Sequence, residues 1–326
     1  MQSYLIGKHV PPDTNLKFAS RLNSFRKDWP HAVSLADAIK RVASVPGISA
    51  IELNYPQHFE TDVISQARDS GLAVTALNLR WDGPDFVHGA FTHPDPRLRE
   101  KAVALACSAV EKASDNHIEH VILWMGPDGF DYPFQADYSA LWALEIDGFR
   151  RVAQTNPRVK VSVEYKPSDP RRLSLIRTMG EALLAVADVG AANFGVTLDV
   201  CHQLMTGEHP AAAASLALDR GKLFGLHLND GYGPADDGMM IGSVHPWKII
   251  ELLWVIQQSR FVGTIYFDTF PDRMDAMAEC AANVDMVRRM IAALAKVPNQ
   301  AIGEIQQNQD GVAAMALLRD LTFGEA

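Results

Sequence analysis

The sequence predicts a closed (β/α)8 barrel of the TIM-barrel class, followed by a C-terminal helical arm. Three observations carry this prediction: eight short apolar runs, amphipathic stretches between them, and polar residues at the ends of the late runs. The runs are 17–22, 50–54, 73–79, 120–125, 159–166, 194–200, 223–229 and 263–269. Several are rich in Val, Ile, Phe and Tyr and short enough for buried strands. Stretch 34–43 carries Leu35, Ala38, Ile39 and Val42 at helical spacing, and 97–114, 248–259 and 274–294 read as further helices. Eight strand–helix alternations argue for a parallel sheet, and their number argues for closure. An open doubly wound sheet would show a glycine-rich phosphate turn after an early strand, and the sequence has none.

Residues 1–297 read as the barrel and 298–326 as the arm. The arm has a polar run at 306–310 and an apolar one at 313–318. The apolar run is expected to pack on a neighbouring subunit of a homodimer or homotetramer.

With 48% hydrophobic and 21% charged residues among 326, the chain has the balance of a globular protein. The net charge of −9 and the lack of a basic stripe make nucleic acid a poor partner. Cys107, Cys201 and Cys280 are odd in number and show no CxxC pair. That points to a reducing, cytoplasmic setting. Residues 1–15 are polar and include Pro11 and Pro12, unlike a signal peptide. No apolar run reaches the ~18 residues of a membrane span.

Four neighbouring late strands end in ionisable residues: Glu164 and Lys166 on the fifth, Asp199 and His202 on the sixth, His227 on the seventh and Asp268 on the eighth. Barrels of this class gather catalytic groups at the C-terminal ends of strands. Three carboxylates in one cavity repel each other and raise each other's pKa, and a divalent cation removes that cost. Glu164, Asp199 and Asp268 with His227 form an oxygen-rich set suited to Mn²⁺, Mg²⁺ or Co²⁺. His202, with Asp199 and either Asp236 or Asp237, forms a possible second site. Cys201 reads as a small wall residue.

At these residues the chain resembles xylose isomerase. The carrying segments are Lys17-Phe18-Ala19, Gly89-Ala90-Phe91-Thr92, Leu123-Trp124-Met125-Gly126, Glu164-Tyr165-Lys166-Pro167, Asp199-Val200-Cys201-His202 through Gly207, Leu228-Asn229, Ile241-Gly242 and Phe267-Asp268. The ligand set Glu, Asp, His, Asp is similar to those of L-rhamnose isomerase and D-tagatose 3-epimerase. Near the place of the family's strand-two histidine the sequence has Tyr55 and, three residues on, His58.

The resemblance implies a metal-dependent aldose–ketose isomerase. It would act on a free monosaccharide by hydride shift, with one or two divalent cations per chain. Lys166 would hydrogen-bond the substrate carbonyl, while Trp124, Tyr55 and His58 would line the sugar pocket. His202 would act in catalysis or on the second metal. The competing reading is a single-metal ketose epimerase with Glu164 and Asp268 as acid/base pair. No lysine–arginine cluster is evident in the mouth loops to suggest a phosphate site, which favours a free sugar.

Overall fold

The structure, a computed structural model, describes residues 17–28, 31–59, 62–259 and 261–324. The reading of residues 1–15 lies outside them. Eight parallel strands form the barrel: β1 (Lys17–Arg21), β2 (Ile48–Tyr55), β3 (Ala73–Leu79), β4 (His120–Trp124), β5 (Lys160–Glu164), β6 (Phe194–Asp199), β7 (Leu223–Leu228) and β8 (Thr264–Phe267). Each pairs with the next, and β8 closes on β1 from Lys17↔Thr264 to Ser20↔Phe267. All eight expected strands are present and the sheet is closed, so the doubly wound alternative is excluded.

Strand alternation divides the side chains between two environments. Leu53, Leu77, Val121, Leu123, Val161, Val163, Leu198, Leu226, Leu228 and Ile265 belong to the main apolar core. The inner positions include a small apolar cluster, Ala19, Ala50 and Tyr266, and the buried Ile122 and Ala76. Much of the remaining lumen is polar, which a barrel tolerates where those groups find partners or a ligand.

The surrounding helices include α1 (Leu35–Ala43), α2 (Val63–Asp69), α3 (Pro96–Asp115), α4 (Tyr138–Thr155) and α5 (Met179–Val189). The later ones are α6 (Val200–Thr206), α7 (Pro210–Leu218), α8 (Pro246–Gln258) and α9 (Ala276–Leu294). Local sequence fixes their ends. Ser34 caps α1, and Thr178 and Glu181 form a reciprocal capping box on α5. Gly190 ends α5 at φ +69°, a left-handed geometry that costs glycine little.

The arm is α10 (Asn299–Asn308) and α11 (Gly311–Phe323). In the single chain it lies back over its own barrel. Ile302, Leu317, Leu318 and Leu321 face Trp247 and Trp254 of α8 around a cavity of about 290 Å³. Trp247 Nε1 donates to Thr322 Oγ1 at 3.0 Å. No residue of α11 is fully buried, and Val312 is 83% exposed. Among the described residues no helix is long and apolar enough to cross a membrane.

Candidate metal centre at the barrel mouth

Four consecutive strands deliver the central cluster. Glu164 ends β5, Asp199 ends β6, His227 is the penultimate residue of β7, and Asp268 follows β8. All four are buried, and one ligand atom from each lies within 4.8 Å of the others. The sequence-derived cage is therefore brought together in space.

Its electrostatics are strained. His227 Nδ1 is 3.3 Å from Glu164 Oε1, and Nε2 is 3.3 Å from Glu52 Oε2. The Glu52 contact is at ion-pair distance but is not a hydrogen bond, so Nε2 has no hydrogen-bond partner. Burial disfavours the charged imidazole, but Glu164 and Glu52 outweigh it and hold His227 well above its usual range. Burial also pushes Glu164 up, yet His227, His202 and Arg80 bring it down to about 2. Asp199 goes the other way. Burial, with Asp236, Glu164 and Asp268 nearby, raises it to about 7 against the pull of His202. Asp268 Oδ1 lies 3.2 Å from Arg21 Nε but is buried without a hydrogen bond.

Orphaned buried atoms beside crowded carboxylates are what a divalent cation relieves. Three hard carboxylates and one imidazole fit such an ion.

The second group, Asp199, His202 and Asp236, also comes together within 4.8 Å. Asp199 caps α6, and its Oδ1 accepts His202 N–H at 3.1 Å. One oxygen of the Asp236 carboxylate is already taken up, however, while Oδ1 is buried without a hydrogen bond. Its Oδ2 lies 3.0 Å from Lys166 Nζ and 3.3 Å from His202 Nε2. Burial opposes charge on both partners, but Asp199 and Asp236 raise His202 to about 9, while His202 and Lys166 hold Asp236 far below the carboxylate range. Asp237 turns away, its Oδ2 accepting from Tyr232 N–H at 2.7 Å. Of the two adjacent acids, only Asp236 enters this group.

Trp124 ends β4 at the mouth, with Lys166 Nζ 5.8 Å and the Arg80 guanidinium 5.2 Å from its ring centre. Gly126 makes this placement possible, because a Cβ there would lie 2.1 Å from the indole.

The strand-two expectations fare differently. Glu52, not Tyr55, is the β2 residue that reaches the cluster. Tyr55, three positions on and so on the opposite face, points its hydroxyl at Ser108 Oγ on α3, 3.0 Å away. His58 is buried with both ring nitrogens engaged: Nδ1 accepts Asn54 N–H at 3.0 Å and Nε2 donates to Asn23 Oδ1 at 2.8 Å. Neither residue is disposed to hold a sugar. Cys201 is buried, its Sγ donating to Asp230 O at 3.0 Å, and burial pushes the thiol far up. It is a wall residue, as expected.

Sequence reasoning missed four residues. Glu52 flanks His227. Asn229 Nδ2 donates to both Asp199 oxygens at 3.2 and 3.0 Å, while its Oδ1 accepts Cys201 N–H at 2.8 Å. Arg21 and Arg80 stand at the ends of β1 and β3. Each lies two positions beyond an inner-face residue, Ala19 and Asn78. Period-2 counting would have placed both in the mouth.

A family model described as xylose isomerase-like TIM barrel matches residues 39–295. The chain is 25% identical over 207 residues to xylose isomerase of Thermus thermophilus, covering 61% of this chain and 54% of that protein. It thus spans about half the length of the curated relatives it matches. Among solved structures, a xylose isomerase domain protein from Alicyclobacillus acidocaldarius superposes with TM-score 0.65 at 16% identity, covering 86% of this chain and all of that one. D-psicose 3-epimerase from Clostridium cellulolyticum superposes with TM-score 0.62 at 19% identity, covering 86% and 97%. At these identities the superpositions speak for the fold alone.

Proposed function

The chain belongs to the xylose isomerase-like TIM barrel family, and from that membership and the mouth geometry we propose a sugar epimerase or isomerase that works by proton transfer beside a single divalent cation. One observation carries the single-cation reading. Asp236 Oδ2 is paired with both Lys166 and His202. In the Glu164, Asp199, His227 and Asp268 cage, by contrast, the one lysine or arginine ion pair among the described residues is Arg21 with Asp268. Asp268 Oδ1 and His227 Nε2 there, like Asp236 Oδ1 and His202 Nδ1, have no hydrogen-bond partner. This reverses the order of preference drawn from sequence, where a hydride-shift isomerase with one or two cations stood first.

Glu164, Asp199, His227 and Asp268 would hold Mn²⁺, Mg²⁺ or Co²⁺. When bound, the cation polarises the substrate carbonyl and acidifies the adjacent C–H. As a ligand His227 would be neutral, with its Nε2–H directed at Glu52, the carboxylate–histidine arrangement that fixes a ligand's tautomer. Asn229 holds the Asp199 carboxylate in place. Glu164 and Asp268, from β5 and the end of β8, serve as the acid/base pair. One removes the proton beside the carbonyl, and the other returns a proton to the carbon. Lys166 and His202, anchored by Asp236, donate to substrate oxygens as charge develops. Trp124 packs on the sugar's C–H face and excludes water.

The deciding experiment is turnover in D₂O with metal counted per chain. Proton transfer predicts deuterium in the product and one cation per chain. Unlabelled product with two cations would return the hydride-shift isomerase to first place.

A further inference from the structure

The mouth is unevenly charged. The β5–β8 arc and its loops supply Glu164, Asp199, Asp236 and Asp268 with Lys166, while the β1–β3 arc supplies Arg21 and Arg80 with Glu52, which faces His227. Lys166 is paired with Asp236, and Arg21 lies 3.2 Å from Asp268 with its guanidinium over the Phe270 ring at 4.5 Å. Arg80 has no such contact. Against its burial, the nearby Asp268 and Glu164 carboxylates favour its charge, but no hydrogen bond or ion pair to a described residue is found, and its Nε is buried without a partner. Its polar neighbour Asp82 is engaged by Gln57 Nε2.

The contact Arg80 does make is with the Trp124 ring, at 5.2 Å. A ring face takes none of the guanidinium's N–H donors, so this contact leaves the buried Nε–H without an acceptor. Once a cation occupies the cage, Glu164 and Asp268 are committed to it, and Arg80 is left still less compensated. A planar fork of donors matches a carboxylate or phosphate.

We propose that Arg80, with Arg21 on the same side of the mouth, receives the anionic terminus of an acidic sugar whose reacting carbons lie against the carboxylate side. The substrate class is a ketose bearing a terminal carboxylate or phosphate, where the sequence favoured a free sugar. This rests on the sugar epimerase or isomerase reading above.

The test compares Mn²⁺-loaded wild type, Arg80→Gln and Arg80→Lys on six probes. These are D-fructose and D-tagatose, the carboxylates D-fructuronate and D-tagaturonate, and the 6-phosphates of both ketoses. Calorimetric binding and solvent-deuterium turnover are read for each. The expected result is an acid-over-neutral preference of about 100-fold in wild type, collapsing in Arg80→Gln and partly kept in Arg80→Lys. The acid class showing the preference identifies the group as carboxylate or phosphate. The proposal is overturned if the acids bind no better than their neutral parents, or if Arg80→Gln leaves the acid-to-neutral ratio unchanged. Arg80-dependent binding of acids with no turnover of any probe would uphold the Arg80 assignment and count against the epimerase or isomerase reading instead.

Discussion

Two polar clusters share the lumen of this barrel, built on the same strands two residues apart. The lower one runs His120 Nε2 to Ser162 Oγ at 2.7 Å and Ser162 Oγ to Thr197 Oγ1 at 2.7 Å. The upper one contains Glu164 and Asp199, the next inward residues on those strands. Both are buried. The lower cluster joins neutral groups in a hydrogen-bonded chain, whereas the upper collects charge and leaves Asp268 Oδ1, His202 Nδ1 and His227 Nε2 without hydrogen-bond partners. A buried polar group is ordinary when its partners are internal. Several missing together, among crowded carboxylates, point to a ligand.

The largest expected effect removes this contrast from above. Asp199→Asn keeps the shape of the side chain but withdraws a charged ligand. Metal affinity should fall by more than the roughly 10–100-fold typical of outer-shell partners, and turnover with it. In wild type, chelation should cost about 4 kcal/mol of stability where free metal stood near 1,000 times its Kd, seen as a lower Tm. A variant that binds metal as wild type does would reduce the upper cluster to a salt-bridge network.

A satisfied acid should behave in the opposite way. Asp128 is fully buried and accepts from the backbone N–H groups of Ala90, Phe91 and Thr92 at 2.7, 2.9 and 3.1 Å, and from Thr92 Oγ1. Burial, with Asp128 alongside, raises the neighbouring Glu145 carboxyl well above its usual range, and neither Glu145 oxygen has a hydrogen-bond partner. Asp128→Ala should destabilise by roughly 3–5 kcal/mol, the range for breaking a buried charged network. Denaturant melts would read the loss, and the metal affinity of the remaining folded protein should be unchanged. Lost metal binding would show that the Gly89-Ala90-Phe91-Thr92 segment belongs to the site.

The same distinction explains what was legible in the sequence. The strands and the cage could be read because both follow period 2, with an acid or imidazole at each late strand end. Tyr55 was misread because proximity to a strand end stood in for facing. Counting from Glu52 turns Tyr55 outward and would have supplied Glu52 itself. Asp236 and Asp237 could not be separated, because a loop has no period and Tyr232 N–H decides which of them turns away. Arg80 escaped notice because a lone arginine past a strand reads as surface. Its lack of a partner appears only in three dimensions.

Proton linkage sharpens the comparison from the lower cluster. Burial, with Lys160 and His227 nearby, lowers His120 from 6.5 to about 3. The unfolded chain therefore binds this proton more readily than the folded one. His120 contributes stability that is present above pH 6.5 and lost as pH falls toward 3. The slope is about 1.4 kcal/mol per pH unit, or about 2 kcal/mol between pH 6.5 and 5. The difference between wild type and His120→Gln in denaturant melts across that range isolates the effect. Parallel curves would mean that the folded protein accommodates the charged ring.

The smallest effect tests whether the lower cluster is independent of the upper one. Thr197→Val keeps the side-chain shape packed against Gly225 and removes one hydroxyl. Ser162 then loses its Thr197 partner but keeps His120, so no buried donor need be stranded. The cost should be that of one net hydrogen bond, about 1 kcal/mol, read as a small shift in denaturant midpoint at unchanged slope. Because Thr197 stands two residues below Asp199 on the same face of β6, any mechanical coupling between the layers would show here first. Closed hydrogen bonding in the lower layer predicts none, so metal affinity should stay at the wild-type value. A tenfold weaker cation in Thr197→Val would mean that the lower chain sets the position of Asp199, and the division between a structural and a functional layer would fail.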